Sequence, residues 1–245
     1  MENFLIIELT KLFCFWLLAF TLGNLVRKYN IKVNYTRKVH HFSLLFFPVL
    51  LAAYFPYEDD LLGLIGAFSF IWTIVPFYFR NHIPTLETCF LSFDRPEDRP
   101  FTLLWLITQF FFGLVIGISV AIFAEFYFGI PWPKIALLVL CLAHIGDGLA
   151  EPIGVRFGKV RYRTYALFTR RRYYRTLEGS ITVLISTVLV LAWFNYLFTD
   201  KQFILALITL PITLMVTEAI SPHTWDGPFL SGVSGLLVTL ILTYA

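Results

Sequence analysis

Charge is what this sequence has least of. Only 14% of its 245 residues are Asp, Glu, Lys or Arg, while 58% are hydrophobic and 18% aromatic. Ordinary soluble domains carry about 25% charged residues. So thin a supply cannot clothe a water-exposed surface of this length, and it excludes a soluble globular class. Cysteine is scarce as well. The three present, Cys14, Cys89 and Cys141, are odd in number and scattered, and two lie in apolar runs, which excludes a disulfide framework. The first apolar run has no basic segment before it and no small-residue cleavage site after it, so it is expected to be a retained span rather than a signal peptide. There is no internal repeat.

Long apolar runs are what the chain has instead. Eight stand out: Phe4–Val26, Phe42–Phe55, Leu61–Phe79, Phe101–Phe128, Ile135–Ala150, Ser180–Phe198, Phe203–Ile220 and Phe229–Tyr244. A membrane span needs about 20 apolar residues. The second and fifth runs fall short and are expected to be half-spans or to be completed by neighbouring polar motifs. The expected fold is therefore all-α: a polytopic integral membrane helical bundle of about eight spans, with residues 1–245 forming one domain with cytoplasmic motif loops. Lys and Arg alternate between loops. Residues 27–41, 80–100 and 153–179 hold 16 of the 19 basic residues. The positive-inside rule puts these loops in the cytoplasm and both termini on the opposite side.

Four polar clusters then fall on the cytoplasmic side. Thr36-Arg37-Lys38-Val39-His40-His41 stands just before the second run. In a helix, Arg37 and Lys38 both reach His41. The cluster fits a lipid-head-group anchor as well as it fits a site. The second, His144-Ile145-Gly146-Asp147-Gly148-Leu149-Ala150-Glu151, puts His144, Asp147 and Glu151 on one helical face. Two carboxylates there suit a divalent metal, or one of them suits proton acceptance from a hydroxyl. Asp147 is deep and flanked by glycines, and an ionisable residue at that depth marks a functional site. Glu151 is equally well explained as a helix end paired to arginines, and His144 reads as a packed, hydrogen-bonded histidine.

The third cluster runs from Gly154 through Arg156, Gly158 and Lys159 to Arg175-Thr176-Leu177-Glu178-Gly179-Ser180. Glycines admit phosphate to the backbone, Arg matches phosphate oxygens in pairs, and a helix start favours anions. The Arg170-Arg171-Arg172 tract reads as positive-inside charge touching anionic lipid. The fourth, Glu218 to Asp226, adds two carboxylates around a Pro222 turn. The loop Asp94–Pro100 reads as a rigid cytoplasmic connection, and Glu8 and Lys11 are spaced to pair.

At these residues the chain resembles the membrane-bound, CTP-dependent lipid-alcohol kinases that phosphorylate polyprenol, phytol and dolichol. Three elements carry the resemblance: Arg37-Lys38-x-x-His41, then Gly146-Asp147-Gly148-Leu149-Ala150-x-x-x-Gly154-x-x-x-Gly158-Lys159, then Thr176-Leu177-Glu178-Gly179-Ser180. Glu218 to Asp226 is a weaker match to an acidic C-terminal motif. Arg175 stands where the family often has lysine, and Glu151 where aspartate is common.

The resemblance implies transfer of the terminal phosphoryl group of CTP to an isoprenoid alcohol at the cytoplasmic membrane face. It implies catalysis by Asp147, Arg37, Lys38 and His41. Nucleotide would be bound by Gly146, Gly148, Gly154, Arg156, Gly158, Lys159, Arg175, Thr176, Glu178, Gly179 and Ser180. Mg2+, or another divalent cation such as Ca2+, would be held by Asp147, Glu151, Glu218 and Asp226. Membrane lipids are expected partners and nucleic acid is not; the oligomeric state is open. The alternatives are a CTP-using diacylglycerol kinase or a phosphatidate cytidylyltransferase-like enzyme, with a transporter behind them.

Overall fold

The computed structural model describes residues 2–56, 65–66, 69 and 72–245. It is predominantly helical, with five helices long and apolar enough to cross a membrane: Glu2–Tyr29, Thr102–Tyr127, Trp132–Phe157, Asp200–Ile220 and Asp226–Tyr244. Large apolar side chains such as Leu9, Phe13, Leu189 and Ile208 are more than half exposed along these helices and their neighbours. That surface suits lipid contact. The chain divides into two compact units, Met1–Thr108 and Gln109–Ala245.

In the first unit, α1 (Glu2–Tyr29) carries Glu2 in its first turn and Arg27 and Lys28 in its last, the arrangement that complements a helix dipole. It closes at Asn30, whose φ of 51° ends the helix in the left-handed region. Helix α2 (Val33–Tyr54) follows. It starts well before the expected run Phe42–Phe55, so Thr36 to His41 form part of the helix instead of preceding it. Of the expected run Leu61–Phe79, residues 61–64, 67–68 and 70–71 lie outside the described residues; 72–74 are helical, and the last five residues form a 3-10 turn, Val75–Phe79. The expected irregular loop 80–100 contains α3 (Pro84–Leu91), opened by proline at its first position. α1 and α3 cross at Gly23, where an added Cβ would fall 1.8 Å from the Thr88 carbonyl oxygen. Phe15, Phe77, Phe90 and Phe93 fill the core beneath.

Helix α4 (Thr102–Ile122) has no charged residue and continues into one π-helical stretch, Phe123–Tyr127. The unit boundary falls within it. The second unit then builds on α5 (Trp132–Phe157), α6 (Leu177–Trp193), α7 (Asp200–Ile220) and α8 (Asp226–Tyr244). α5 packs on α6 and α8, and α7 packs on the same two. The short run expected at Ile135–Ala150 is a full 26-residue helix, because the polar motif from Gly146 to Arg156 continues the helical path.

An antiparallel hairpin, β1 (Arg161–Ala166) and β2 (Thr169–Thr176), joins α5 to α6. This departs from a purely α expectation. The arginine tract lies in β2, where alternate side chains face opposite sides.

Candidate active site

Small residues set the geometry of the second unit. A Cβ on Gly146 would lie 3.1 Å from Val183 Cα and 2.9 Å from Ser186 Oγ; one on Gly154 would lie 2.5 Å from Thr176 Oγ1. From the other helix, Gly179 faces the Ala150 carbonyl, 3.0 Å from where its Cβ would be. Gly146, Ala150 and Gly154 are spaced by four, so they form one stripe along α5 against α6, the small-residue packing favoured between membrane helices. The space beside these glycines, expected to admit phosphate, is filled by the neighbouring helix. Gly158 is likewise closed in by the Gly154 carbonyl and Thr176.

Asp147, next to Gly146 on α5, is 3% exposed. Thr176 caps α6 by accepting from the Gly179 N–H at 3.2 Å. Four residues on, Ser180 turns inward and donates to Glu218 Oε2 at 2.7 Å. Its hydroxyl also lies 2.6 Å from the Tyr162 hydroxyl of β1. Glu218 Oε1 accepts from Arg175 Nη1 at 2.8 Å, and the same guanidinium bonds the Glu218 carbonyl. Arg175 Nη2 is 3.5 Å from Asp226 Oδ2 and 3.4 Å from the Pro222 carbonyl. The Arg175 and Glu218 side chains are only 9% and 6% exposed.

Electrostatics follow from this arrangement. Burial works against the charge on Arg175, but Asp226 and Glu218, then Tyr162 and Asp147, outweigh it and hold its pKa above the ordinary value. Burial pushes the Tyr162 hydroxyl up, and the Glu218 carboxylate adds to the effect. A single guanidinium therefore serves Glu218 and Asp226, with Asp147 contributing to the same field.

The remaining expected residues have other surroundings. Glu178 Oε1 accepts from the backbone N–H of Lys159 at 2.8 Å and of Val160 at 3.3 Å, fixing the turn that leaves α5. Arg156 stacks over its neighbour Phe157 at 5.4 Å. Glu151 is half-buried one turn beyond Asp147, and His144 Nε2 lies 3.4 Å from Ser231 Oγ. In the first unit, Arg37 Nη1 meets Asp98 Oδ2 at 3.0 Å, where Arg95 Nε also bonds at 2.7 Å. Thr36 donates to the Ser92 carbonyl, His40 Nε2 lies 2.9 Å from Ser92 Oγ, and the His40 ring stacks on Phe93 at 3.9 Å. Lys38 and His41 are half-buried on the same helix.

Among the described residues no group of three or more His, Cys, Asp or Glu converges as a ready-made metal cage. Glu218 has both oxygens engaged. The donor chemistry of Asp147 and Asp226 still suits magnesium carried by a nucleotide, which uses one or two carboxylates together with phosphate oxygens. The sequence reading missed Tyr162. The alternation Arg161-Tyr162-Arg163-Thr164-Tyr165-Ala166 has the period of a strand with one packed face, and that signal places Tyr162 inward. No protein-family model, curated protein or solved structure matches this chain.

Proposed function

We propose that the chain is a CTP-dependent kinase of membrane-dissolved isoprenoid alcohols. The observation that carries this reading is the buried cluster of Arg175, Glu218, Asp226, Ser180 and Asp147. It joins three of the sequence elements that resemble lipid-alcohol kinases, within an apolar helical unit. In this reading the basic loops face the cytoplasm, both termini lie opposite, and the alcohol's tail stays in lipid with its hydroxyl at the interface.

Phosphoryl transfer is mostly positioning and charge neutralisation. Glu218 fixes Arg175 through the 2.8 Å bond, while the longer 3.5 Å approach to Asp226 leaves Nη2 as the donor that a phosphate oxygen can take over. Asp147 orients the acceptor hydroxyl. Its oxygen bonds to the terminal phosphorus as the bond from that phosphorus to CDP breaks, and the hydroxyl proton passes to the Asp147 carboxylate. A loose transition state needs little early proton removal. Asp147 and Asp226 would hold a divalent cation arriving with the triphosphate, and the cation would supply charge neutralisation.

The test crosses labelled ATP, CTP, GTP and UTP with phytol, longer polyprenols and diacylglycerol, using the purified full chain. The reading expects label in a prenyl phosphate with CTP and release of CDP. Pyrophosphate release would identify a cytidylyltransferase instead. Absence of labelled lipid across the panel would overturn the kinase reading.

A further inference from the structure

The hairpin has two chemically different faces. The inner face is committed to protein. Thr164 Oγ1 donates to the Ser221 carbonyl at 3.1 Å, the His223 N–H donates to the Tyr165 carbonyl at 2.7 Å, and the Tyr173 and His223 rings stack at 3.9 Å. Tyr162 and Arg175 also lie on this side. The outer face carries Arg161, Arg163, Tyr165, Arg170, Arg172 and Tyr174, all exposed. Cross-strand pairing of Arg163 with Tyr174 places arginine and tyrosine side by side. Residues 160–177 contain no Asp or Glu. Among the described residues none of these four arginines forms an ion pair.

The position of the hairpin narrows the partner. Apolar helix α5 ends at Phe157, only a few residues before β1, and α6 begins at Leu177 immediately after β2. Where such apolar helices cross a bilayer, a segment tied so closely to them stands at head-group depth. Tyrosines favour that depth, and basic residues beside a membrane helix attract anionic lipid. Charge alone would suit any polyanion; proximity to the apolar helices favours the lipid surface.

We propose that the outer face of the hairpin is a docking surface for anionic phospholipid head groups. Its inner face holds Arg175, so lipid on one side and the polar cluster on the other share a single two-stranded element. This inference does not depend on the reaction proposed above.

The purified full chain in uncharged detergent is titrated with short-chain phosphatidylglycerol, and its melting temperature is followed. Phosphatidylcholine of equal length, glycerol phosphate and a single-stranded oligonucleotide form the other arms. Phosphatidylglycerol is expected to raise the melting temperature and phosphatidylcholine to leave it unchanged. Each arginine replaced by glutamine is expected to raise the half-saturating concentration about fivefold, the equivalent of about 1 kcal/mol per basic residue. R161Q/R163Q/R170Q/R172Q should abolish the response, and the corresponding four-lysine variant should keep it within about threefold. R27Q/K28Q, which removes charge at the end of α1, should change it less than about twofold.

The proposal is overturned if phosphatidylglycerol acts no more strongly than phosphatidylcholine on the unaltered protein. It is equally overturned if the glutamine variant responds like the unaltered protein, if the lysine variant fails, or if glycerol phosphate or the oligonucleotide matches the lipid.

Discussion

Each unit holds an arginine–carboxylate knot, and the two are assembled differently. In the first, one carboxylate, Asp98, serves two guanidiniums, Arg37 and Arg95. In the second, one guanidinium, Arg175, serves Glu218 and Asp226, with Asp147 adding to the field. The first is built mainly from a local turn, since Arg95 and Asp98 are three residues apart. Its neighbours Thr36, His40 and Ser92 are bonded to one another. The second gathers residues from β2, α6, α7 and α8, and sets Glu218 and Asp226 against one guanidinium. Buried charge without a partner is costly. The first knot ties α2 to the turn that holds Asp98, and the second is the one that the proposed function assigns to a nucleotide–metal complex.

The comparison breaks most readily at the single carboxylate. Asp98→Asn removes the acceptor shared by two guanidiniums and leaves Glu97 only 3.9 Å from Arg95, and a loss of about 3–5 kcal/mol is expected. Glu218→Gln should cost less, near the lower end of that range, because Asp226 still faces Arg175. Unfolding of both variants in detergent, followed by circular dichroism, checks the ranking. A reversed order would show that Asp226 does little for Arg175.

The next effect is steric. Gly23→Ala meets a backbone oxygen at 1.8 Å, whereas Gly146→Ala meets the Val183 backbone and side chain and Ser186 Oγ at 2.9–3.1 Å. Overpacking costs about 1–3 kcal/mol, occasionally more. Melting temperatures should fall further for Gly23→Ala. Gly146→Ala should lower activity disproportionately, because it moves Asp147 relative to Ser180.

The smallest effect is a pH dependence confined to the second unit. Burial and then Glu218 raise Tyr162 above its ordinary value of 10.0. The unfolded chain thus loses this proton first. The stability contributed by Tyr162 is intact below about pH 10 and is lost as pH rises through the folded-state value. Tyr162→Phe should flatten that alkaline decline relative to the unaltered protein. Parallel pH–stability curves would remove Tyr162 from the knot.

Helices long and apolar enough to cross a membrane were legible wherever a run was long and uncharged, as in α4, because the signal is composition itself. Helix ends were less legible. α5 outruns its apolar stretch because Gly146 to Arg156 are polar or small yet still helical. α2 begins among basic residues for the same reason. The hairpin was hidden by its charge: five exposed arginines in β1 and β2 read as a loop, although the alternation of packed and open positions was present. Asp147, Arg175, Glu218 and Asp226 stood out as polar residues at the ends of apolar runs. Their pairing could not be read, since Arg175 and Glu218 are 43 residues apart and meet only because α6 and α7 pack together. The glycines show the limit of composition. Phosphate approach and helix approach both call for a missing Cβ, and only the structure identifies which atoms fill the gap.

Phosphoryl transfer by Asp147→Asn protein tests the account most directly. With CTP labelled in its terminal phosphate, Mg2+ and phytol or a polyprenol, the unaltered protein should label the lipid. The variant should fall at least about a hundredfold at an unchanged melting temperature. Turnover near that of the unaltered protein would contradict the assignment of the acid-rich cluster as the reacting centre.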